Sequence, residues 1–403
     1  MSSACERTLM ADCGGLITDL GLALPTVFLA GTGIGAVGEG ARLIAPISNL
    51  LSSLPAELHV HIFVDRMAFE GARQWLDGLN SICQTNLVPV GSDVSVIRSP
   101  WIQDRIHIRT ERAQGRERTE VLARPNDVLA SAIASHLAMG RASEGIFVPG
   151  GNQLVGQGFR LVGYSQTVPP GFRRDRSLDA WGLWRAISKM DGRDTSLFGY
   201  RIADLGQGRE CEEGGTRGVR AQSHLQPNFS KRHNRHEDRI HQCGFHVDQY
   251  VSATGLFVDD RPLLLVADPI SFDPDGERAC QMLKRQLHAS VLLLEEQGFA
   301  VQRNPVPLAV VADTGKRLPR LYNNVLLENA LRPQRNRPQV WVPQFGDREP
   351  LEEFDSRNLA IWRRLGFDPI PVPGWSCLAS RNGAIRCVTR VLRRDEPLQQ
   401  EAS

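Results

Sequence analysis

The stretch TVFLAGTGIGAVGEGARLIAPISNLLSSLPAELHVHIFVD, Thr26 to Asp65, decides the class of fold. Thr26 to Ala30 reads as a buried strand, a glycine-rich turn follows, Arg42 to Leu54 has helical periodicity, and HVHIFVD is a second strand ending at Asp65. Working outward, FEGARQWLDGLN continues as helix, and VSVIRSPWIQDRIHI, from Val94, reads as strand, turn, strand. Helices are expected around Asp127 to Met139, Asp179 to Met190 and Glu277 to Leu294. Short apolar strands such as FRLVGY, PLLLVADP and QVWVPQF separate them, and that alternation is α/β. Gly206 to His241 lacks any apolar period, so 206–241 reads as a long loop or insertion. The recurring units suit a pseudo-symmetric closed fold as well as an open sheet.

The 403 residues carry 47 basic and 45 acidic side chains, a formal charge of +2. That balance sets up no field that would draw the chain to nucleic acid or an acidic membrane. Eight scattered cysteines without a CxxC pair argue against a disulfide scaffold or zinc ribbon and for a reducing compartment. The apolar run Leu16 to Ala30 is broken by Asp19, Gly21 and Pro25, too short to span a membrane, and lacks a basic flank. A cytoplasmic protein is expected, although a substrate of a specialised secretion system has the same features.

Four segments carry chemistry: SPWIQDR (Ser99 to Arg105), PGGNQLVG (Pro149 to Gly156), GFHVDQY (Gly244 to Tyr250) and NGAIRCVTRVLRR (Asn382 to Arg394). Singly, Cys387 is a small core residue, Asp104 a cap and His246 a satisfied core histidine, but these readings leave the ordered set unexplained. Together the segments resemble the peptidylarginine deiminases, and more distantly the agmatine deiminases, of the guanidino-modifying pentein superfamily. YNN, ending at Asn324, resembles the Y-x-N of the agmatine branch, and VPQFGD (Val342 to Asp347) resembles a strand of that branch. The resemblance implies a five-bladed pseudo-symmetric α/β propeller, with residues 1–403 forming one catalytic domain.

It also implies the reaction, hydrolytic deimination of arginine within a peptide or protein to citrulline and ammonia. A guanidinium is planar, permanently cationic and resonance-stabilised, so its carbon is a poor electrophile until the charge is held. The family assigns that holding to two carboxylates, here Asp104 and Asp248, through charge-assisted bonds. Cys387 attacks as thiolate, favoured by the cationic substrate. His246 protonates the departing nitrogen and then deprotonates the hydrolytic water. In an HVD strand, a period of two would turn His246 and Asp248 to one face. Trp101 stacks on the guanidinium or walls the cleft; Asn152, Asn324 and Arg386 complete the expected substrate-binding set.

The chain departs from the family at the calcium ligands: Arg105, His107 and Leu154 stand where carboxylates are expected, and Gln103 alone remains. No metal and no organic cofactor are expected. Arg386 replaces a frequent histidine, where a cation either lowers the thiol pKa or repels the substrate. Pro149 replaces the acid of the agmatine branch, which favours a peptidyl substrate. Within the class, a deiminase of free arginine or agmatine and an amidinotransferase use the same cysteine intermediate. Outside it stand an inactive pentein acting as a binding module and an NAD(P)-dependent oxidoreductase of the Rossmann type. The latter rests on the Gly33, Gly35 and Gly38 pattern with Asp65 at the ribose position. A zinc reading of His233, His236, His241, Cys243 and His246 fits no standard spacing, and a solvated loop is preferred.

Overall fold

In the first-quoted stretch, the second strand forms where its residues predict it, and its neighbours shift. The computed structural model describes residues 6–30, 38–91, 94–163, 180–199, 246–271, 274–311, 315, 317–347 and 351–395. The expected insertion at 206–241, the glycines at 33 and 35, and the histidine cluster before residue 246 lie outside them.

The N-terminal part contains strands β1 (Glu6–Leu9) and β2 (Leu16–Leu24), helices α1 (Thr26–Leu29) and α2 (Glu39–Ser53), strand β3 (His59–Asp65), helix α3 (Phe69–Asp77) and strand β4 (Gln84–Val90). Thr26 to Ala30 is therefore not a strand; the strand lies upstream. LITDLGLAL runs between β3 and a C-terminal strand and is covered on both faces, so it shows no alternation to read. Pro25 has no N–H to continue the ladder, and its fixed φ of −62° leads into the helical turn.

Among the described residues the strands form five sheets, and the same order of elements recurs in each: a hairpin, a helix, then a strand parallel to the second hairpin strand. One unit is β5 (Ile106–Ala113), β6 (Arg116–Ala123), α4 (Val128–His136) and β7 (Gly140–Ala142), with β1 on the outer side of β5. The next is β8 (Gln153–Val155), β9 (Phe159–Gly163), α5 (Ala180–Ser188) and β10 (Asp194–Phe198). The third is β11 (Val251–Val258), β12 (Arg261–Ile270), α6 (Pro274–Glu296) and β13 (Ala300–Val310), extended by β14 (Arg317–Pro319). The fourth is β15 (Leu326–Leu327), β16 (Gln339–Pro343), α7 (Glu352–Arg364) and β17 (Asp368–Val372). After α8 (Ser376–Ala379) and α9 (Ile385–Val388), strand β18 (Thr389–Asp395) pairs antiparallel with β2. Strand β2 then pairs parallel with β3 across α2, so the fifth unit is built from both ends of the chain.

That fifth sheet, ordered β18-β2-β3-β4 with an antiparallel edge, is not the longer parallel sheet of a dinucleotide-binding fold. Asp65, the candidate ribose acid, is occupied by the chain itself. Its carboxylate accepts from the backbone of Val96 (2.8 Å) and Ile97 (3.1 Å) and from the hydroxyls of Ser95 and Thr26. Those bonds also explain why Val94 to Pro100 forms no strand: donors that a ladder would use go to Asp65.

Strand β3 separates two apolar clusters: Ile62 and Val64 join one with Leu43, Ile47 and Leu50 of α2, and Phe63 joins the other with Leu129 and Ile133 of α4. Each fully buried leucine or isoleucine contributes about 1.5–3 kcal/mol relative to exposure. Helix α4 begins where the sequence places it, because the Asp127 carboxylate accepts from the Ala130 N–H. Among the described residues, no helix is long and apolar enough to cross a membrane.

In each unit a short turn leads into the first strand of the hairpin. These turns are Ile102–Asp104 before β5, Gly150–Asn152 before β8, Val247–Gln249 before β11, the Leu321-to-Asn324 turn before β15, and α9 before β18. Every chemistry-bearing sequence segment forms one of them.

Candidate active site

The turns touch one another. The Asp104 carboxylate accepts from the Gly151 N–H at 2.8 Å, and Asn324 Nδ2 donates to the Asp248 carbonyl at 3.4 Å. Gly151 is required by this closeness: a Cβ there would lie 2.5 Å from His246 Nδ1 and 3.0 Å from Asp104 Oδ1.

Cys387 sits in α9, 4% exposed. Its backbone N–H donates to Asn324 Oδ1 at 3.1 Å, and Asn324 Nδ2 donates to its Sγ at 3.2 Å. The thiol faces Asp248 Oδ2 at 3.7 Å. His246 Nδ1 is 3.6 Å from Asp104 Oδ1. Asp104, His246, Asp248 and Cys387, expected together from sequence, thus form two contacting pairs, Asp104 with His246 and Asp248 with Cys387, which are coupled electrostatically.

The expected HVD strand is not formed. His246 is extended (φ −128°, ψ 155°), but Val247–Gln249 is a 3-10 turn held by the Gln249 side chain, which accepts from the His246 N–H at 3.2 Å. His246 and Asp248 share the site because that turn folds both toward it, not because they alternate along a strand.

Arg386 differs most from expectation. Its guanidinium donates to Asp248 Oδ2 (2.7 Å), Asp12 Oδ1 (2.8 Å) and the carbonyls of Gly150 (3.1 Å) and Gln153 (2.9 Å). Every nitrogen is engaged, since Nε also reaches Asp12 at 3.3 Å. With its donors spent on these internal partners it is a clamp that positions Asp248. Asp248 Oδ1 is left buried with no hydrogen-bond partner among the described residues. An orphaned carboxylate oxygen beside a thiol is an acceptor awaiting a donor.

Burial shifts these groups toward their neutral forms. Burial, followed by the nearby Asp248 and Asp104, pushes the Cys387 thiol well above its ordinary value. Burial lowers His246 to about 4; Asp248 opposes this and Arg386 adds to it. Asp104 and Asp248 are both raised by burial, against the pull of the Gly151 N–H and Arg386 on the first and of Arg386 and His246 on the second. Burial works to lower Arg386, but Asp12 and Asp248 outweigh it and hold the guanidinium charged.

The remaining expected residues divide. Asn324 touches the nucleophile on two atoms, so its contact is with Cys387. Asn152 is fully buried and gives its amide to the Gly163 carbonyl at 2.6 Å, behind the turn. Trp101 serves as wall: its ring lies on Gly383, where a Cβ would be 2.2 Å from Cζ3. The positions resembling lost calcium ligands are engaged otherwise. Arg105 pairs with Asp127 (2.9 Å), His107 bonds the Val148 carbonyl (2.7 Å), and Leu154 is core. Asp12 was missed, because a lone acid in a segment without a motif carries no sequence signal.

No protein-family model matches the chain, and no curated protein matches it significantly. Among solved structures, one similar chain is a dimethylarginine dimethylaminohydrolase variant in adduct with S-methyl-L-thiocitrulline. It is 11% identical with a TM-score of 0.39, and the match covers 93% of this chain and 99% of that one. Another is the mutant Pseudomonas aeruginosa enzyme of that name complexed with citrulline. It is likewise 11% identical with a TM-score of 0.39, over 93% of this chain and 98% of that one.

Proposed function

We propose that the chain is a cysteine-dependent guanidine hydrolase of the pentein type, a five-bladed α/β propeller in which residues 1–403 form one catalytic domain. In this reading it deiminates arginine to citrulline and ammonia. The observation that carries the proposal is the Asp248 carboxylate, whose Oδ2 faces the Cys387 thiol at 3.7 Å while its Oδ1 is buried without a partner among the described residues, with Asp104 and His246 forming a second pair at 3.6 Å.

Asp248 Oδ1 and Asp104 accept the guanidinium N–H groups, fixing its plane. The substrate charge offsets the burial and the two carboxylates that hold the thiol protonated, so the thiol proton passes to His246 and Sγ bonds to the guanidine carbon. The Asn324 amide, already donating to Sγ, stabilises the thiolate. His246 delivers its proton to the leaving nitrogen, the C–N bond breaks, and ammonia departs from an S-alkylthiouronium. Neutral His246 then takes a proton from water and hydroxide adds to the same carbon; the C–S bond breaks, the hydroxyl proton passes to sulfur to restore the thiol and release citrulline, and the proton on His246 leaves to solvent, where the departed ammonia takes it up. A peptidyl substrate is favoured because Pro149 offers no carboxylate for a free ammonium group.

Ammonia and citrulline release from benzoyl-arginine amide, free arginine and agmatine tests this. Wild type should turn over the blocked substrate fastest, and Cys387→Ala should lose roughly 10³-fold or more. Equal release by Cys387→Ala, or silence of the wild type on all three, would overturn the reading.

A further inference from the structure

A second site lies on the other side of Arg386. Beneath it is a cavity of about 20 Å³ bordered by Asp12, Gln103, Arg386 and Arg390, with Val325 and Leu326 among its apolar walls. Arg390 is 5% exposed, and among the described residues its guanidinium has no hydrogen-bond or ion-pair partner; its Nε is buried outright. Gln103 is 2% exposed, and its Nε2 is also buried without a partner. Both residues border the void, and among the described residues each keeps a buried nitrogen without a partner.

Asp12 favours the Arg390 charge, but Arg386 and Arg394 oppose it, and Asp12 is shared. Asp12 Oδ1 is taken by Arg386 and its Oδ2 by the Val155 N–H at 2.7 Å, while Asp248 carries Arg386 as well. Arg394, further along strand β18, adds another positive charge and donates to the carbonyls of Asp12, Gly14 and Leu327. A buried, unpaired cation is costly, and water in the void would meet the donors without meeting the charge. Burial lowers Arg390 to about 10, which still leaves it charged at neutral pH.

We infer that the cavity between Gln103 and Arg390 is a binding site for one small monovalent anion of the halide class. Its volume admits a species of about one or two waters, so sulfate and phosphate are too large. The inference concerns the frame behind Arg386 and is independent of the proposed reaction.

Wild-type crystals soaked in bromide should show an anomalous peak between Arg390 and Gln103. In solution at constant ionic strength, replacing sodium gluconate with chloride or bromide should raise the melting temperature saturably. The expected rise is about 1–2 °C at ten times the half-saturating concentration. Arg390→Gln should lose the rise; if that variant does not fold, the wild-type diffraction and titration still decide. A cavity without an anomalous peak, or a melting temperature equal in halide and gluconate, overturns the inference.

Discussion

Asp104 and Asp248 reach the site from corresponding turns, yet live under opposite constraints. Asp104 keeps 27% of its side chain exposed and accepts one N–H, from Gly151. Asp248 has no exposure and is tied through Arg386 to Asp12. The first, partly exposed and held by a single N–H, is the mouth carboxylate. The second belongs to the frame and offers a single oxygen. Equal residue types thus do unequal work, because one carboxylate is solvated and the other is charge-balanced by the protein.

Removing the clamp should break this contrast most severely. Arg386→Met leaves Asp248 and Asp12 buried without a counter-charge, and should lower stability by about 3–5 kcal/mol in urea unfolding. A loss below about 1 kcal/mol would mean that Asp248 needs no clamp.

Between the two carboxylates, His246 gives a pH signature. Its folded value of about 4 lies below the unfolded value near 6.5, so the folded state binds fewer protons. Stability from this group is present above about pH 6.5 and is lost as pH falls toward 4, by about 3 kcal/mol at most. The raised carboxylates act in the opposite sense, and their effect cancels when wild type is compared with His246→Gln. The difference in unfolding free energy between the two should shrink over that window; a pH-independent difference would place His246 outside the buried environment described.

The smallest stability effect belongs to the mouth. Asp104→Asn should change stability by under about 1 kcal/mol, while removing one charge-assisted contact should cut kcat/KM by about 10- to 100-fold. Stability loss as large as that of Arg386→Met would erase the distinction between mouth and frame.

The grouping of the four candidate residues was legible because they sit in polar turns between apolar strands, where a motif is not masked by core composition. Strand His59–Asp65 and the α4 helix with its Asp127 cap were legible for a local reason, the periodicity and the cap chemistry. Thr26–Leu29 was not, since a short apolar run carries no period that separates strand from helix. The Val247–Gln249 turn was hidden likewise, because three residues cannot show whether they alternate or coil.

The α/β alternation and the ordered set of candidate residues were determined by the sequence itself, through periodicity and motif order. The role of Arg386 was decided by tertiary structure alone. Beside a cysteine in the chain, it reads as a modifier of the thiol or a substrate contact. In the fold it pairs with Asp12, 374 positions away, and with Asp248 across the site. A buried charge takes the partners that packing brings within reach, and in a low-dielectric interior those partners, not its sequence neighbours, set its energy and its work.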